Sequence, residues 1–95
     1  MIKHVAMFKL KSDVRPEQVD ALFAAMRQLR IKGMSGLIMD RDAGLRPGNY
    51  DLLFMCDLED EVAYERYDTD QEHNRIRREF GGPITERGER IQIRL

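Results

Sequence analysis

The chain has 95 residues, enough for one domain, and its 42% hydrophobic and 35% charged residues carry a formal net charge of −1. This balance is typical of a globular protein and gives no sign of a nucleic-acid or membrane partner. A single cysteine excludes an internal disulfide and a cysteine-rich zinc site. No apolar run approaches the roughly 20 residues of a membrane span, and lysines interrupt the first eleven residues, unlike a signal peptide. We therefore expect a single domain over residues 1–95 in the cytoplasm.

Two segments, residues 1–10 and 50–58, carry apolar side chains on both faces of a strand. Successive side chains of a strand point to opposite sides, so a half-exposed strand alternates apolar with polar residues. These two segments do not alternate, and they predict central strands that are covered on both faces. Residues 36–41 and 90–95 predict two further strands. In the last of these, the apolar Ile91, Ile93 and Leu95 alternate with polar residues, as in a strand that is apolar on one side only.

Two helical regions separate these strands. The first begins at Pro16, whose missing N–H suits the first helical position. It carries an apolar stripe at helical spacing, formed by Val19, Leu22, Phe23, Met26 and Leu29. The second begins after Asp60, is interrupted near Asp70, which can cap a further helical piece, and ends at a Gly-Gly-Pro sequence.

The resulting order, β-α-β-β-α-β, is that of a ferredoxin-like α+β fold, with the first and third strands central and the helices on one face of the sheet. We expect the other face to expose Phe8, Leu10, Leu52 and Phe54. An exposed apolar surface of that extent indicates an interface. The sequence therefore predicts a homodimer through the sheet face.

Several segments resemble the stress-responsive α/β-barrel family, called Dabb. They are residues 3–11 (Lys-His-Val, then Phe-Lys-Leu-Lys), residues 50–52 (Tyr-Asp-Leu), and the segment from Ala63-Tyr64 through Tyr67 to His73. The family usually ends the last segment with Tyr, three residues and His-Pro-x-His; here His73 is kept, and Asp70 and Gln71 replace the first His and the Pro. The resemblance covers the whole chain. It implies a dimeric α+β barrel with a cavity in each subunit between sheet and helices.

The resemblance also implies candidate chemistry. Most members of the family have no assigned activity, but olivetolic acid cyclase closes a linear polyketide by an aldol condensation without a cofactor. Its Tyr/His pair corresponds to Tyr67 and His73, and a further histidine to His4. Related dimeric barrels include cofactor-independent monooxygenases of quinols and polyketides. The resemblance thus implies a cyclase- or lyase-type enzyme without cofactor or metal, and it leaves open a monooxygenase or a non-catalytic, stress-related binding protein.

Both histidines of the chain fall on predicted inward faces, His73 in line with Ile76 and Phe80, and His4 alternating with Ala6. A partly buried imidazole titrates near neutrality and can take a proton from a carbon acid. The Tyr67 hydroxyl could donate to the oxygen on which enolate charge develops. A purely structural or ligand-lining role is the alternative for each histidine. We expect a small apolar or aromatic ligand, in a pocket walled by Leu22, Phe23, Met26, Leu37, Phe54 and Ile84.

Two other functions share parts of this pattern. The RNA-recognition fold has the same topology and uses aromatic residues on its open sheet face, but its Gly-aromatic signature is absent from residues 50–58. A metal site would need His4, His73 and carboxylates such as Asp40 or Asp57 to converge, and no ligand-like spacing supports it. The sequence favours neither.

Overall fold

A computed structural model describes residues 1–95. Its elements follow in the order β1 (Ile2–Leu10), α1 (Pro16–Arg27), β2 (Met34–Arg41), β3 (Leu52–Leu58), α2 (Glu61–Thr69), α3 (Gln71–Ile76), a π-helical turn (Arg77–Gly81) and β4 (Thr85–Arg94). The strands form one antiparallel sheet with the order β2-β3-β1-β4. The predicted ferredoxin-like α+β fold, with β1 and β3 at its centre, is confirmed. None of the helices has the length and the apolar composition that a membrane span requires.

The helix ends follow from local side chains. The Ala63 backbone N–H donates to Asp60 Oδ1 at 2.8 Å, and the His73 backbone N–H donates to Asp70 Oδ2 at the same distance. Each aspartate satisfies one of the free amides at a helix start. Asp70 therefore separates α2 from α3, as the sequence predicted, and it fixes the backbone of His73.

The fourth strand is longer than its apolar pattern indicated, because it begins at Thr85 instead of near residue 90. Its first half is polar and glycine-containing, which gives no strand signal. Pairing with β1 over nearly the whole length of both strands nevertheless holds it in place. A neighbouring strand supplies the backbone hydrogen bonds that the side-chain pattern did not predict.

The core lies between the helices and one face of the sheet. On that face β1 contributes Ile2, His4 and Ala6, and β3 contributes its even-numbered residues from Leu52 to Leu58. The helices cover them with Val19, Phe23, Met26, Ala63, Tyr67 and Ile76, all buried.

The expectation that Phe8, Leu10, Leu52 and Phe54 form the uncovered face is wrong. Leu52 and Phe54 are buried, and Phe8 and Leu10 pack against the same core. Alternation assigns residues to a common face, but it does not say which face the helices cover when both are apolar.

The uncovered face of the sheet, which we call the open face, has an apolar row at its centre. Strand pairing aligns Ile38, Met55, Val5 and Ile91, one residue from each strand. Directly paired residues of antiparallel strands lie on the same side of a sheet, so the four side chains form a continuous stripe. Ile38 is 49% exposed and Ile91 60% exposed. The apolar half of the β4 pattern thus lies on the open face.

Candidate functional site

A cavity of about 360 Å³ lies between the helix-covered face of the sheet and the helices. Of the residues that the sequence singled out, His4, Tyr67, His73, Leu22, Phe23, Met26 and Phe54 line it. Two others do not. Leu37 packs against the main core, and Ile84, 1% exposed, belongs to a smaller cluster with Val19, Phe23 and Leu52. The fold therefore brings both histidines and the tyrosine to one space.

His73 is oriented by the break between α2 and α3. Its Nδ1 lies 2.8 Å from the carbonyl oxygen of Tyr67. A carbonyl oxygen only accepts hydrogen bonds, so Nδ1 carries the ring proton and Nε2 keeps its lone pair. The Tyr67 ring lies beside the His73 ring with centroids 4.0 Å apart and an interplanar angle of 30°. The same short connection thus supplies the histidine, its backbone acceptor and its aromatic neighbour.

His4 is held in the opposite tautomer. The side-chain amide of Gln92, the β4 residue paired with His4, donates from Nε2 to His4 Nδ1 at 2.9 Å. Since Nδ1 accepts in neutral His4, its proton is on Nε2. The His4 ring centroid lies 5.2 Å from that of Tyr67 and 6.0 Å from those of Phe54 and Tyr64. The two imidazoles therefore offer the cavity complementary groups, an acceptor from His73 and a donor from His4.

The free polar atoms of this cluster are accessible from the cavity. Neither Nε2 atom nor the Tyr67 hydroxyl hydrogen-bonds to another residue. The one fully buried side-chain polar atom without a hydrogen bond is Asp57 Oδ1, which Lys3 Nζ approaches to 2.6 Å as an ion pair. The free atoms of His4, Tyr67 and His73 are thus not sealed in the core. Their hydrogen-bonding capacity is unused within the chain.

Both histidines are less basic than a histidine in water. Burial lowers the pKa of both below the usual 6.5. For His4 the charge that His73 carries when protonated and the charges of Arg90 and Arg77 lower the pKa further. For His73 the hydrogen bond to the Tyr67 carbonyl opposes the effect of burial on the pKa. Both histidines therefore titrate at a lower pH than the sequence predicted, and both imidazoles are neutral at pH 7. Burial also raises the pKa of Tyr67, so its phenol keeps its proton.

Sequence reasoning missed Gln92, Arg77 and Arg90, although each belongs to the site. The two arginines line the cavity, and Gln92 fixes the tautomer of His4. In β4 the isoleucines predicted the strand, whereas Arg90 and Gln92 lie on the helix-covered side, opposite Ala6 and His4. The alternation of polar and apolar residues in β4 could have identified Arg90 and Gln92, because it places both on the side of the strand opposite to the isoleucines.

The cysteine, the possible metal ligands and a second surface depression add no further candidate site. Burial raises the pKa of the Cys56 thiol to about 12, so it stays protonated. No group of three or more His, Cys, Asp or Glu side chains is placed to hold a metal ion. A second, open depression near the end of β1 is lined mostly by polar residues and contains neither histidine.

The fold and the site together define a class: a ferredoxin-like α+β protein with a cavity between sheet and helices that contains two neutral histidines and a tyrosine. The family model described as Stress responsive A/B Barrel Domain (Dabb) matches residues 2–93. The chain belongs to this family.

Solved structures share this fold over nearly the whole chain. A dimeric ferredoxin-like protein of unknown function from Thermobifida fusca YX is 27% identical, with a TM-score of 0.91 over 99% of this chain and 90% of that one. A Dabb family protein from Mesorhizobium loti is 22% identical, with a TM-score of 0.82, 99% and 95% of the two chains being covered. A hydroxynitrile lyase from Passiflora edulis is 15% identical, with a TM-score of 0.83, the coverage being 97% and 90%. The last two show a shared fold alone. No curated protein sequence matches this chain significantly.

Proposed function

We propose that the cavity binds a small apolar or aromatic ligand and that the chain is a cofactor-independent enzyme of the cyclase or lyase type. In this proposal His73 is the general base, and the Tyr67 hydroxyl and the His4 Nε2–H stabilise negative charge on an oxygen. The observation that carries the proposal is the pair of opposite tautomers beside one cavity.

The proposed reaction begins with proton transfer from carbon. His73 Nε2 takes a proton from a carbon next to a carbonyl group, and the electron pair of that C–H bond moves to the carbonyl oxygen, giving an enolate. Tyr67 or His4 donates a hydrogen bond to this oxygen. The enolate carbon then forms a bond to a second carbonyl carbon, and protonated His73 returns its proton to the new alkoxide. The reverse sequence cleaves the same carbon–carbon bond.

The lowered pKa of His73 supports this role because an unprotonated base is present at neutral pH. A charged imidazolium could not accept the proton. The neutral state of His4 also supports this role of His73. A positive charge on His4 would oppose the protonation of His73 that the reaction requires, and a neutral donor does not. The arrangement thus supplies one acceptor and two donors without any group that must change charge before the reaction.

A binding protein without catalysis is the second candidate. The close contact between the Tyr67 and His73 rings favours it, because a ring held by a backbone hydrogen bond and an aromatic neighbour can be part of the cavity wall alone. A monooxygenase would use the same base to deprotonate a substrate that reacts with oxygen itself. Turnover and oxygen uptake separate these functions.

We also propose that two copies of the chain pair through their open faces. The row formed by Ile38, Met55, Val5 and Ile91 is continuous and apolar, and no element of the chain covers it. The similar protein from Thermobifida fusca YX is described as dimeric, which supports the same assembly here. Since each open face is the same surface, a two-fold axis lets one row cover the other.

The proposed activity can be tested with two neutral aromatic probes. N-phenyl-1-naphthylamine fluorescence reports binding, and NMR of acetophenone in D₂O reports exchange of its methyl protons, the partial reaction of a carbon-acid base. We expect wild-type protein to do both, and His73→Gln to lose about 10²- to 10⁴-fold of the exchange rate. The affinity for N-phenyl-1-naphthylamine should change by less than about twofold.

The outcomes separate the candidates. Binding without exchange in the wild type supports a binding protein and removes the enzymatic proposal. Loss of neither property in His73→Gln removes His73 as the base. If that variant does not fold, the wild-type exchange rate as a function of pH replaces it, and the rate should fall in acid as His73 becomes protonated. No binding of N-phenyl-1-naphthylamine removes the proposal that the cavity binds a neutral apolar ligand.

A further inference from the structure

Two arginines lie at the rim of the cavity. Arg77 comes from the π-helical turn, and Arg90 comes from β4, where it pairs with Ala6 on the helix-covered side. Both side chains are exposed while the cavity walls below them are apolar. The cavity is therefore amphipathic, with an aromatic interior and cationic groups at its opening.

Neither arginine has an ion-pair partner within the chain. Arg77 makes one side-chain hydrogen bond, to the side-chain oxygen of Asn74 at 3.4 Å, and Arg90 makes none. By contrast, Arg75 bonds Glu72 and Glu79 on the neighbouring helical turns, and Arg94 pairs with Glu61. The guanidinium groups at the rim thus keep their donors available.

The rim also contains the carboxylates Asp68 and Glu89, whose negative charges oppose those of the two arginines. At His4, Arg90 and Arg77 each lower the pKa more than Asp68 raises it. At His73, the effect of Arg77 on the pKa is larger than that of Asp70 or of Asp68. At His4 positive charge therefore has the stronger influence on the pKa, and at His73 the largest single influence of a charge on the pKa is that of Arg77.

We propose that the ligand of this cavity is an organic anion, an aromatic or otherwise apolar body with a carboxylate or similar acidic group that Arg77 and Arg90 hold at the rim. This inference rests on the proposed ligand-binding function and names its substrate class. The planar donors of a guanidinium match the two oxygens of a carboxylate, so the pair fixes the orientation of the ligand as well as its charge. The apolar body then extends towards His4, Tyr67 and His73.

Two fluorescent probes with the same ring system test the charge preference. 8-Anilinonaphthalene-1-sulfonate carries one negative charge, and N-phenyl-1-naphthylamine is its neutral counterpart. At low salt we expect wild-type protein to bind the sulfonate about tenfold more tightly. Arg77→Gln and Arg90→Gln should each weaken sulfonate binding by about three- to tenfold and neutral binding by less than twofold.

Arg78→Gln is the matched control, since Arg78 is exposed on the same turn and does not line the cavity. It should leave the affinity for both probes unchanged. Ala6→Leu, which fills part of the cavity, should weaken both probes and so locate them there.

Each result has a distinct meaning. Equal affinity of the two probes in the wild type, or equal loss of both in the Arg77 and Arg90 variants, overturns the anion preference and leaves the cavity intact. An effect of Arg78→Gln as large as those of the rim variants also overturns it, because the whole basic surface would then be responsible. Failure of both probes to bind overturns the underlying ligand-binding proposal instead.

Discussion

The stability of the protein should fall as the pH is lowered from 7.0 to 5.5, because His4 and His73 are buried in the neutral state. Both have a pKa below 6.5 when folded and regain that ordinary value when the chain unfolds. In this pH range the unfolded chain therefore binds more protons than the folded protein. Protons then favour unfolding, and the free energy of unfolding decreases towards acid.

The size of the effect follows from the linkage relation. A histidine that stays neutral in the folded protein and titrates at 6.5 in the unfolded chain removes about 1.3 kcal/mol of stability between pH 7.0 and 5.5. The two histidines together remove about 2.5 kcal/mol, an upper limit reached only if both stay neutral at pH 5.5. Such a loss is a large part of the 5–15 kcal/mol typical of a folded domain. The range lies above the ordinary pKa values of Asp and Glu, so carboxylates add little.

Urea denaturation at several pH values, at one fixed protein concentration, measures this loss. His4→Gln and His73→Gln each remove one titrating group, so each variant should show about half of the wild-type pH dependence whatever its absolute stability. Stability that is constant or increases as the pH falls to 5.5 would refute the reasoning. It would mean that the histidines are solvated, or already charged, in the folded protein.

Two further predictions concern the helix break and the open face. Asp70→Ala and Asp60→Ala should each cost about 1 kcal/mol of stability by removing a helix cap. Only the Asp70 variant should change the ring ¹⁵N shifts of His73; equal changes would mean that the cap does not position the ring. Ile91→Glu should shift the protein to an 11.2 kDa species in sedimentation. Val62→Glu, an equally apolar-to-charged change on exposed α2, should not; a persistent dimer in the first variant would contradict pairing through the open face.

Several local features could be predicted because they depend on neighbours in the sequence. The Asp60 and Asp70 caps, the start of α1 at Pro16 and the two central strands follow from hydrogen-bonding capacity and side-chain alternation within a few residues. The inward position of His4 and His73 was predicted in the same way, from their spacing to apolar neighbours, and both are buried. Local chemistry was sufficient for these.

The composition of the cavity was only partly predictable. Leu37 and Ile84 have the same apolar character as Phe54, but they pack into the core instead of lining the open volume. A pattern shows that a side chain is inward and cannot show whether its neighbours fill the space beside it. That depends on side chains from several elements at once.

The sequence by itself determined the order of the elements, the central strands, the caps and the inward histidines, since each arises from interactions between residues close along the chain. Only the tertiary structure decided which apolar face the helices cover, and which tautomer each histidine adopts. The first depends on how the helices pack onto a sheet that is apolar on both sides. The second depends on Gln92, 88 residues away from His4, and on the Tyr67 carbonyl turned towards His73. Such partners meet only when the chain is folded.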